Sequence, residues 1–434
     1  MSAVDIVDDM VREQKRGNAR GLLSICSAHP SVLRTAIRRA VQKDGRVLVE
    51  ATCNQVNQHG GYTGMTPAAF AADLSEMARE EGLPRNRLLL GGDHLGPYLW
   101  RALPAAEAMR EAETLVGQYV QAGFVKIHLD ASMRLGDDDP AQPLDVDVAS
   151  HRAATLARIA EEARALQAEE AAPRYVLGTE VPAPGGSVEH DRRVEVTSVS
   201  AVRETIDAAR EAFTREGLHS AWERVIAVVV QPGVEFGPDY VLDYDGQAAS
   251  ALSRFIEAEP RLVYEAHSTD YQRHAALRAM VRDHFAVLKV GPALTNAFRE
   301  SVFALAMIEA EILSGPRRGE CSRFIEVLDE AMRRAPEHWS RHYRGTPEEV
   351  ALARKYSLSD RSRYYWNDEQ VRRALLVLIA NLSRRPIPLS LLSQFLPGQC
   401  LRIREGVLDN APQALLTDRI DQILDGYSSS CGQD

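Results

Sequence analysis

Eight short apolar segments, each followed by a longer amphipathic segment, dominate the chain up to residue 290. The short segments are rich in Val, Leu and Ile, which is typical of strands buried in a parallel sheet. The predicted strands are Leu22–Cys26, Val47–Glu50, Leu88–Gly92, Val125–Leu129, Tyr175–Gly178, Ile226–Val230, Leu262–Glu265 and Phe285–Val290. The main helical segments are Ser31–Val41, Pro67–Glu81, Ala105–Ala122, His151–Ala171, Val202–Glu216 and Tyr271–Asp283. This alternation predicts either a closed (β/α)8 barrel or an open doubly wound sheet.

The positions of the polar residues favour one of these two folds. Nearly every predicted strand ends in a polar or glycine-rich cluster, such as Gly92-Asp93-His94 or Glu265-Ala266-His267. An open sheet concentrates its functional residues near one topological switch point, whereas a barrel gathers them from all its strand ends. The pattern therefore predicts an α/β fold, a (β/α)8 TIM barrel with these clusters on one rim.

The pattern changes after the helix expected at Asn296–Leu313, because helices and loops follow without a convincing strand. We therefore divide the chain into a barrel, residues 1–313, and a helical C-terminal extension, residues 314–434. The extension contains two aromatic and basic segments, Trp339–Arg344 and Arg361–Trp366. They are candidates for core packing, a lid over the barrel or a subunit contact, and packing is favoured because aromatic side chains usually bury large areas.

The composition limits the classes of function. A formal net charge of -10 over 434 residues argues against binding along a nucleic-acid backbone. The five cysteines form no CxxC pair, which is typical of reduced thiols in the cytoplasm. The acidic N-terminus does not resemble a secretory signal, and no apolar run is long enough to span a bilayer. We therefore expect a cytoplasmic protein that binds neither nucleic acid nor membrane.

Adjacent Asp93 and His94 are the most informative polar pair. At a strand end, a neutral imidazole can bind a divalent metal while the neighbouring carboxylate transfers a proton to or from a substrate hydroxyl. The alternative is that Asp93 caps the next helix and His94 packs. His267 and Glu180 follow other predicted strands on the same rim, which favours the metal site. We predict His94, Glu180 and His267 as metal ligands, with Zn²⁺ as the first choice of ion and Mn²⁺ as the second.

Two further acids, Asp130 and Glu265, are candidates for catalysis beside Asp93. Asp130 lies two residues after His128, so the alternation of side chains along a strand points both to the same side. These residues are predicted either to transfer protons or to orient the metal ligands through hydrogen bonds.

Other strand-end residues are candidates for binding a small sugar or sugar phosphate. They are Glu50, Gln55, Asn57, Ser268, Thr269, Lys289 and Gly291. Lys289 lies in an apolar strand, where its charge needs a carboxylate or phosphate partner, and a Schiff base there is the less favoured alternative. Ser268, Thr269 and Gly291 offer donors for a phosphate pocket where strands seven and eight end, although such residues are also common in turns.

Several familiar motifs are absent from the sequence. It has no GxxxxGK[ST] phosphate loop, no GxGxxG motif opening a helix in a βαβ unit and no kinase catalytic-loop signature. It also has no Gly-x-Ser-x-Gly nucleophile elbow. These absences argue against an ATP-dependent kinase and weaken the case for a hydrolase.

Several strand-end motifs carry a family resemblance. They are Glu50–Gln58, Gly60–Met65, Gly91–Pro97, Lys126–Met133, Gly178–Pro182, Glu265–Tyr271 and Leu288–Leu294. They resemble the Z-type (GatZ/KbaZ) subunit of class II tagatose-bisphosphate aldolases, and the similarity continues into Arg363-Tyr364-Tyr365-Trp366. The resemblance implies a role in ketose metabolism, in support of a separate Y-type subunit that cleaves tagatose 1,6-bisphosphate to two triose phosphates.

The resemblance also implies roles for individual residues. Asp93 and His94 match the Asp-His pair that class II aldolases use for proton transfer and metal binding, and His267 matches a ligand on strand seven. At strand six, where those aldolases have a histidine, this chain has Gln231-Pro232-Gly233. The departure weakens the case for independent aldolase activity, although Glu180 is available to complete the ligand set.

Three functional hypotheses remain. The first is a Z-type component that binds a metal and a ketose phosphate and assembles with a Y-type subunit. The second is an autonomous metal-dependent ketose or keto-sugar acid epimerase, or an autonomous class II aldolase. The third is a stabilising subunit without chemistry of its own. The label tagatose-6-phosphate kinase, which some family members carry, has no support from nucleotide-binding motifs. A homo-oligomer is compatible with all three hypotheses.

Overall fold

The computed structural model describes residues 4–166, 171–178 and 194–433. Its strands are β1 Leu22–Ile25, β2 Val47–Thr52, β3 Leu88–Leu95, β4 Lys126–Asp130, β5 Arg174–Gly178, β6 Val225–Val229, β7 Glu235–Phe236, β8 Val241–Leu242, β9 Val263–Ala266 and β10 Phe285–Val290. All except β7 and β8 form a closed parallel barrel in the order β1-β10-β9-β6-β5-β4-β3-β2. The eight predicted strands and the TIM-barrel fold are therefore confirmed. The β7–β8 pair is a small antiparallel hairpin that the sequence pattern did not predict.

Helices surround the barrel and form the extension. They are α1 Asp5–Lys15, α2 Pro30–Gln42, α3 Pro67–Glu81, α4 Ala105–Gln121, α5 Val146–Ala165, α6 Val199–Arg215, α7 His219–Trp222, α8 Ser250–Ala258, α9 His274–Arg282, α10 Pro292–Ile312, α11 Phe324–Arg334, α12 Pro347–Tyr356, α13 Glu369–Leu382, α14 Leu389–Phe395, α15 Pro397–Arg404 and α16 Pro412–Ser430. Within the described ranges, none of them combines the length and apolar character needed to cross a lipid bilayer.

Helix α1 covers the N-terminal end of the barrel. Its apolar side chains Val7 and Met10 pack with Leu22, Leu48 and other inward-facing residues at the bottom of the strands. This end of the barrel is therefore apolar and covered, which leaves the opposite end, where the strands finish, as the open mouth.

The barrel interior changes from apolar to charged along the strands. Because side chains alternate, residues two apart on one strand lie in successive interior layers. On β9 and the residue after it, Val263 belongs to the apolar bottom layer, Glu265 lies in a charged middle layer, and His267 lies at the mouth. The middle layer is fully buried, since Glu265 and Lys126 are both 0% exposed.

The extension packs against the barrel. Helix α16 contacts α10, α2 and α9, and the Tyr427 hydroxyl donates to the backbone carbonyl of Thr269 at 2.6 Å. Arg299 of α10 forms a buried ion pair with Asp360 of the extension at 2.8 Å. The helical character predicted after residue 313 is confirmed for residues 314–433. The division at residue 313 stays a prediction, because the last helix returns to the barrel.

Candidate functional site

The end of β3 brings two adjacent side chains to the barrel mouth. Successive residues of a regular strand face opposite sides, but the pairing of β3 with β4 shifts between Gly92 and Leu95. Within this irregularity His94 has a φ of 48°, in the left-handed region that residues other than glycine rarely adopt. Asp93 and His94 can therefore both reach one site. Backbone strain of this kind is often found at functional sites.

Two glycines allow β3 to approach its neighbours closely. A Cβ atom at Gly91 would lie 2.6 Å from Cγ of Glu50 on β2, and one at Gly96 would lie 1.7 Å from the carbonyl oxygen of Asp130 on β4. No larger residue would fit at Gly96 without moving the backbone. The glycines flanking the Asp-His pair are therefore required for the packing that positions it.

Three imidazole rings meet beside Asp93. His94 lies within the irregular part of β3, His128 lies on β4 and His267 follows β9. The ring centroids are 5.1 Å apart for His94 and His128, 4.9 Å for His94 and His267, and 5.3 Å for His128 and His267. Together with Asp93 they offer ligand atoms that all lie within 4.8 Å of one another. The structure brings two of the predicted ligands together and adds His128.

Each imidazole forms a short hydrogen bond with a carboxylate. The pairs are His94 Nδ1 with Asp130 Oδ2 at 2.8 Å, His128 Nδ1 with Asp93 Oδ1 at 2.8 Å, and His267 Nε2 with Glu265 Oε1 at 3.0 Å. An imidazole that donates one N–H to a carboxylate keeps the lone pair of its other nitrogen for a metal. The predicted acids Asp130 and Glu265 therefore lie where they orient the rings.

The Nε2 atom of His128 is available to bind a metal. It is buried and has no hydrogen-bond partner among the described residues. The backbone N–H of His94 approaches Nδ1 of His128 at 3.2 Å, but the shorter contact with the Asp93 carboxylate is charge-assisted and assigns the proton to Nδ1. The remaining Nε2 is then an acceptor without a donor. Such an atom beside two more imidazoles and a carboxylate suits a divalent ion such as Zn²⁺.

A layer of buried ion pairs lies below the imidazoles. The Lys126 ammonium is 2.7 Å from Glu50 and 2.6 Å from Glu265. The Lys289 ammonium is 3.3 Å from each of the same two glutamates and closer still to Asp93. Burial opposes protonation of Lys289, but Asp93 and the other nearby acids raise its pKa well above the usual value. Lys289 is therefore held as a cation, which disfavours a Schiff base at this residue.

The cluster carries more negative than positive charge. It contains four carboxylates, those of Glu50, Asp93, Asp130 and Glu265, and two ammonium groups, those of Lys126 and Lys289, which leaves two negative charges when the imidazoles are neutral. A bound divalent cation would neutralise this excess.

The pKa values of His94 and His267 shift in opposite directions. Burial opposes a charge on His94, but Asp93 and Asp130 outweigh it and raise the His94 pKa. Burial raises the pKa of Asp130, yet its hydrogen bond to His94 and nearby charges lower it to about 2. Burial and the Lys289 charge lower the pKa of His267 to about 3, so this ring is neutral. Neutral imidazole is the form that binds metals.

A cavity of about 100 Å³ opens beside this centre at the barrel mouth. The barrel contributes Asp93, His94, Gln55, His267, Ser268, Lys289 and Gly291 to its wall. The extension contributes Arg363 and Tyr364. The site is thus built from both parts of the chain. The aromatic and basic segment at residues 361–366 packs over the mouth. It therefore combines two of the roles considered for it, core packing and a cover over the barrel.

Some predicted binding groups are already engaged. Asn57 donates to the Cys53 carbonyl at 2.9 Å, and its side-chain oxygen accepts from the His59 and Gly61 N–H groups. Thr269 donates to the Lys289 carbonyl at 2.6 Å. Neither residue lines the cavity. Glu50 is 0% exposed and lies in the charged layer. A role for these three in contacting substrate stays a prediction, and Glu180 lies outside the described residues.

The predicted phosphate pocket contains an acid. The N–H groups of Gly291 and Ala293, at the start of α10, donate to Oδ1 of Asp270 at 3.0 and 2.7 Å. Burial raises the Asp270 pKa to about 6, although these N–H groups lower it. The backbone donors expected to hold a phosphate are therefore used by a side chain of the protein.

The strand-six glutamine has a structural role in this chain. Its side-chain oxygen accepts from the N–H groups of Gly233 and Val234 at 2.8 and 3.0 Å. Gln231 thus holds the turn after β6, and the third imidazole of the cluster comes from β4 instead. The sequence indicated this position of His128, because His128 and Asp130 are two residues apart on one strand and so face the same side. Lys126 was not predicted as part of the site. It lies in an apolar predicted strand, as Lys289 does, and the same argument for a charged partner applies to both.

Comparison with known proteins identifies a family. A model of the family described as D-tagatose-1,6-bisphosphate aldolase subunit GatZ/KbaZ-like matches residues 7–432. The crystal structure of a probable tagatose 6 phosphate kinase from Sinorhizobium meliloti 1021 is 43% identical, with a TM-score of 0.86, and the match covers 95% of this chain and 100% of that chain. A fructose-bisphosphate aldolase from Campylobacter jejuni is 11% identical over 88% of this chain and 93% of its own, with a TM-score of 0.45.

Proposed function

Because this chain belongs to the GatZ/KbaZ-like family of D-tagatose-1,6-bisphosphate aldolase subunits, we propose that it is a Z-type aldolase component with a metal-binding ketose-phosphate site of its own. Its partner in this proposal is a Y-type aldolase subunit. The kinase name of the Sinorhizobium meliloti protein is not carried over, since this sequence has none of the phosphate-loop or kinase motifs.

One observation carries the proposal. The imidazoles of His94, His128 and His267 converge with Asp93 at the barrel mouth, and a buried imidazole nitrogen of His128 lacks a partner within the described residues. A divalent ion bound there would supply a Lewis acid that polarises the carbonyl of a ketose. The donor set suits Zn²⁺ first and Mn²⁺ second.

The carboxylates have separate roles in this proposal. Asp93 lines the cavity. Burial alone would raise the Asp93 pKa, but nearby His94 and Lys289 outweigh this effect and hold the pKa well below the usual range. Asp93 is therefore ionised and is the candidate base for the substrate hydroxyl proton that leaves when an aldol bond breaks. Asp130 and Glu265 bond to His94 and His267, so we assign them to positioning those rings.

A second candidate function is an autonomous ketose epimerase or aldolase. The observation that favours it is that the three imidazoles and the candidate base Asp93 all come from a single chain. Epimerisation by bond cleavage and re-formation on the opposite face needs the same base and the same polarised carbonyl. The two candidates therefore share one site and differ in their dependence on a partner.

Metal analysis and turnover assays test the proposal and separate the candidates. The full chain is assayed for bound metal, then mixed with ketoses and ketose phosphates and read for cleavage and epimerisation, with and without a Y-type subunit. Cleavage stimulated by the subunit supports the aldolase component, whereas turnover by the chain alone supports the autonomous enzyme. Absence of bound metal after incubation with Zn²⁺ and Mn²⁺, together with a more stable Y-type subunit, would favour a purely stabilising role and contradict the metal site.

Replacing His128 with Ala is expected to weaken metal binding by about 100-fold or more, because the variant removes a ligand and the donor that orients Asp93. The measurement is a calorimetric titration of the metal-free protein with Zn²⁺. His151→Ala is the matched control, since that histidine is on α5 with 63% of its side chain exposed. An unchanged zinc affinity in a folded His128→Ala protein would remove His128 from the ligand set.

A further inference from the structure

The cavity wall contains two cationic side chains whose surroundings differ. Lys289 contacts the carboxylates of Glu50, Asp93 and Glu265, so its charge is balanced within the barrel. Arg363, in the extension, has no carboxylate within ion-pair distance among the described residues. Nearby Asp360 is paired with Arg299 instead. A mostly buried guanidinium without an anionic partner is unfavourable, unless an anion binds to it.

Arg363 is held in place by neutral groups. Its Nη1 atom donates to the carbonyl oxygens of Ser359 at 2.5 Å and Asp360 at 3.0 Å, and its Nη2 atom donates to the Tyr364 hydroxyl at 3.0 Å. A guanidinium group has five N–H donors. These three bonds leave two donors, one on Nε and one on Nη2, which lie on adjacent nitrogens. Adjacent guanidinium donors match two oxygens of a phosphate group.

The neighbouring aromatic rings fix this arrangement over the mouth. The Tyr364 ring stacks on His338 with centroids 4.6 Å apart and meets the edge of Tyr62, from the loop after β2, at 4.6 Å. The Arg363 guanidinium lies 4.5 Å from the Tyr364 ring centroid. Because Tyr62 belongs to the barrel, these contacts hold the Arg363 side chain against the cavity and reduce the conformational freedom it would lose on binding an anion.

The barrel has fewer free hydrogen-bond donors for an anion at this mouth, because those at the end of β10 are already used. The α10 N–H groups of Gly291 and Ala293 donate to Asp270, and Thr295 donates to Asp360 at 2.5 Å. A phosphate placed at the end of β10 would compete with the Asp270 carboxylate for the same donors. Arg363 is therefore the cavity's best available donor for a phosphate among the described residues.

We propose that Arg363 of the helical extension binds a phosphate group of the substrate, so that the extension gives the site its preference for phosphorylated ketoses. The inference rests on the proposed function for the identity of the substrate. It goes further by assigning phosphate recognition to a residue outside the barrel. It also gives the 361–366 segment a role in binding.

The test measures phosphate binding separately from metal binding. Calorimetric titration with inorganic phosphate is carried out, after removal of any bound metal, on wild type, Arg363→Met, Arg363→Lys and the control Arg344→Met, whose arginine is exposed on the same extension. We expect phosphate affinity to fall by roughly 10- to 100-fold in Arg363→Met, to recover in part in Arg363→Lys, and to be unchanged in Arg344→Met. A wild type without phosphate affinity, or a folded Arg363→Met protein that binds phosphate as wild type does, would overturn the inference.

A second arm compares tagatose 6-phosphate with tagatose in the turnover assay. Arg363→Met is expected to raise the KM for tagatose 6-phosphate by roughly 10-fold or more and to change the KM for tagatose by less than about 3-fold. Equal effects on the two sugars would contradict phosphate recognition. If Arg363→Met fails to fold, Arg363→Lys carries the same comparison, since it keeps the charge but loses the paired donors. Loss of the metal site would instead leave the phosphate titration intact, so the two proposals fail separately.

Discussion

Replacing Asp93 with Asn is expected to lower kcat by roughly 10²- to 10⁴-fold while the protein keeps its metal. The substitution preserves the shape of the side chain but removes the ionised oxygen that would take a hydroxyl proton. The His94, His128 and His267 rings remain, so a metal can still bind. The measurement is steady-state turnover in the assay that the wild type supports, accompanied by metal content.

The control for Asp93→Asn is Asp239→Asn, because Asp239 is exposed in the loop after β7 and is expected to tolerate the change. A folded, metal-loaded Asp93→Asn protein with kcat within about threefold of wild type would remove Asp93 as the base. A protein that loses both turnover and metal would instead show that Asp93 acts chiefly through the ligands it contacts, which include His128 at 2.8 Å.

The fold could be predicted because its signals are periodic. Each barrel strand is a short apolar run, and strand β10 at Phe285–Val290 and helix α3 at Pro67–Glu81 were predicted with the bounds that the structure has. Helix α1 was missed because its apolar residues are few and its sequence is acidic. The role of these apolar residues, which is to cover the bottom of the closed barrel, is evident only from the contacts of Val7 and Met10 in the structure.

The site could be predicted in part. Asp93, His94 and His267 were expected at one rim because parallel strands end on the same side, and the structure brings them together. The backbone φ of 48° at His94 has no sequence signal, since the left-handed region disfavours any side chain with a Cβ. Without that irregularity, alternation would send Asp93 and His94 to opposite sides of the strand.

The sequence pattern could not predict which side chains of distant segments contact one another. The position of His128 within reach of His94 and His267 depends on the registers of β4 and β9, which alternation alone does not set. Arg363 is 70 residues or more beyond the last barrel strand, which ends at Val290. Only the packing of the extension over the mouth places it at the cavity. Long-range neighbours of this kind are where a single sequence carries least information.

Replacing Lys126 with Met is expected to lower the free energy of unfolding by about 3–5 kcal/mol, because it leaves Glu50 and Glu265 with one fewer cation in a fully buried layer. Burial opposes protonation of Lys126, but the two glutamates outweigh it and raise the lysine pKa. The measurement is denaturant unfolding at neutral pH. Lys43→Met is the control, since Lys43 is exposed and its loss is expected to cost less than about 0.5 kcal/mol.

A second substitution tests whether charge is the cause. Glu50→Gln added to Lys126→Met removes one of the carboxylates that the first change leaves underpaired, so the double variant is expected to recover at least about 1 kcal/mol relative to Lys126→Met alone. A Lys126→Met protein as stable as the control would mean that the layer does not depend on this ion pair. The stability of the layer matters for the site above it, because Glu265 also accepts the hydrogen bond that fixes His267. A loss of metal affinity in Lys126→Met, restored in the double variant, would connect the buried charges of the barrel to the ligands at its mouth.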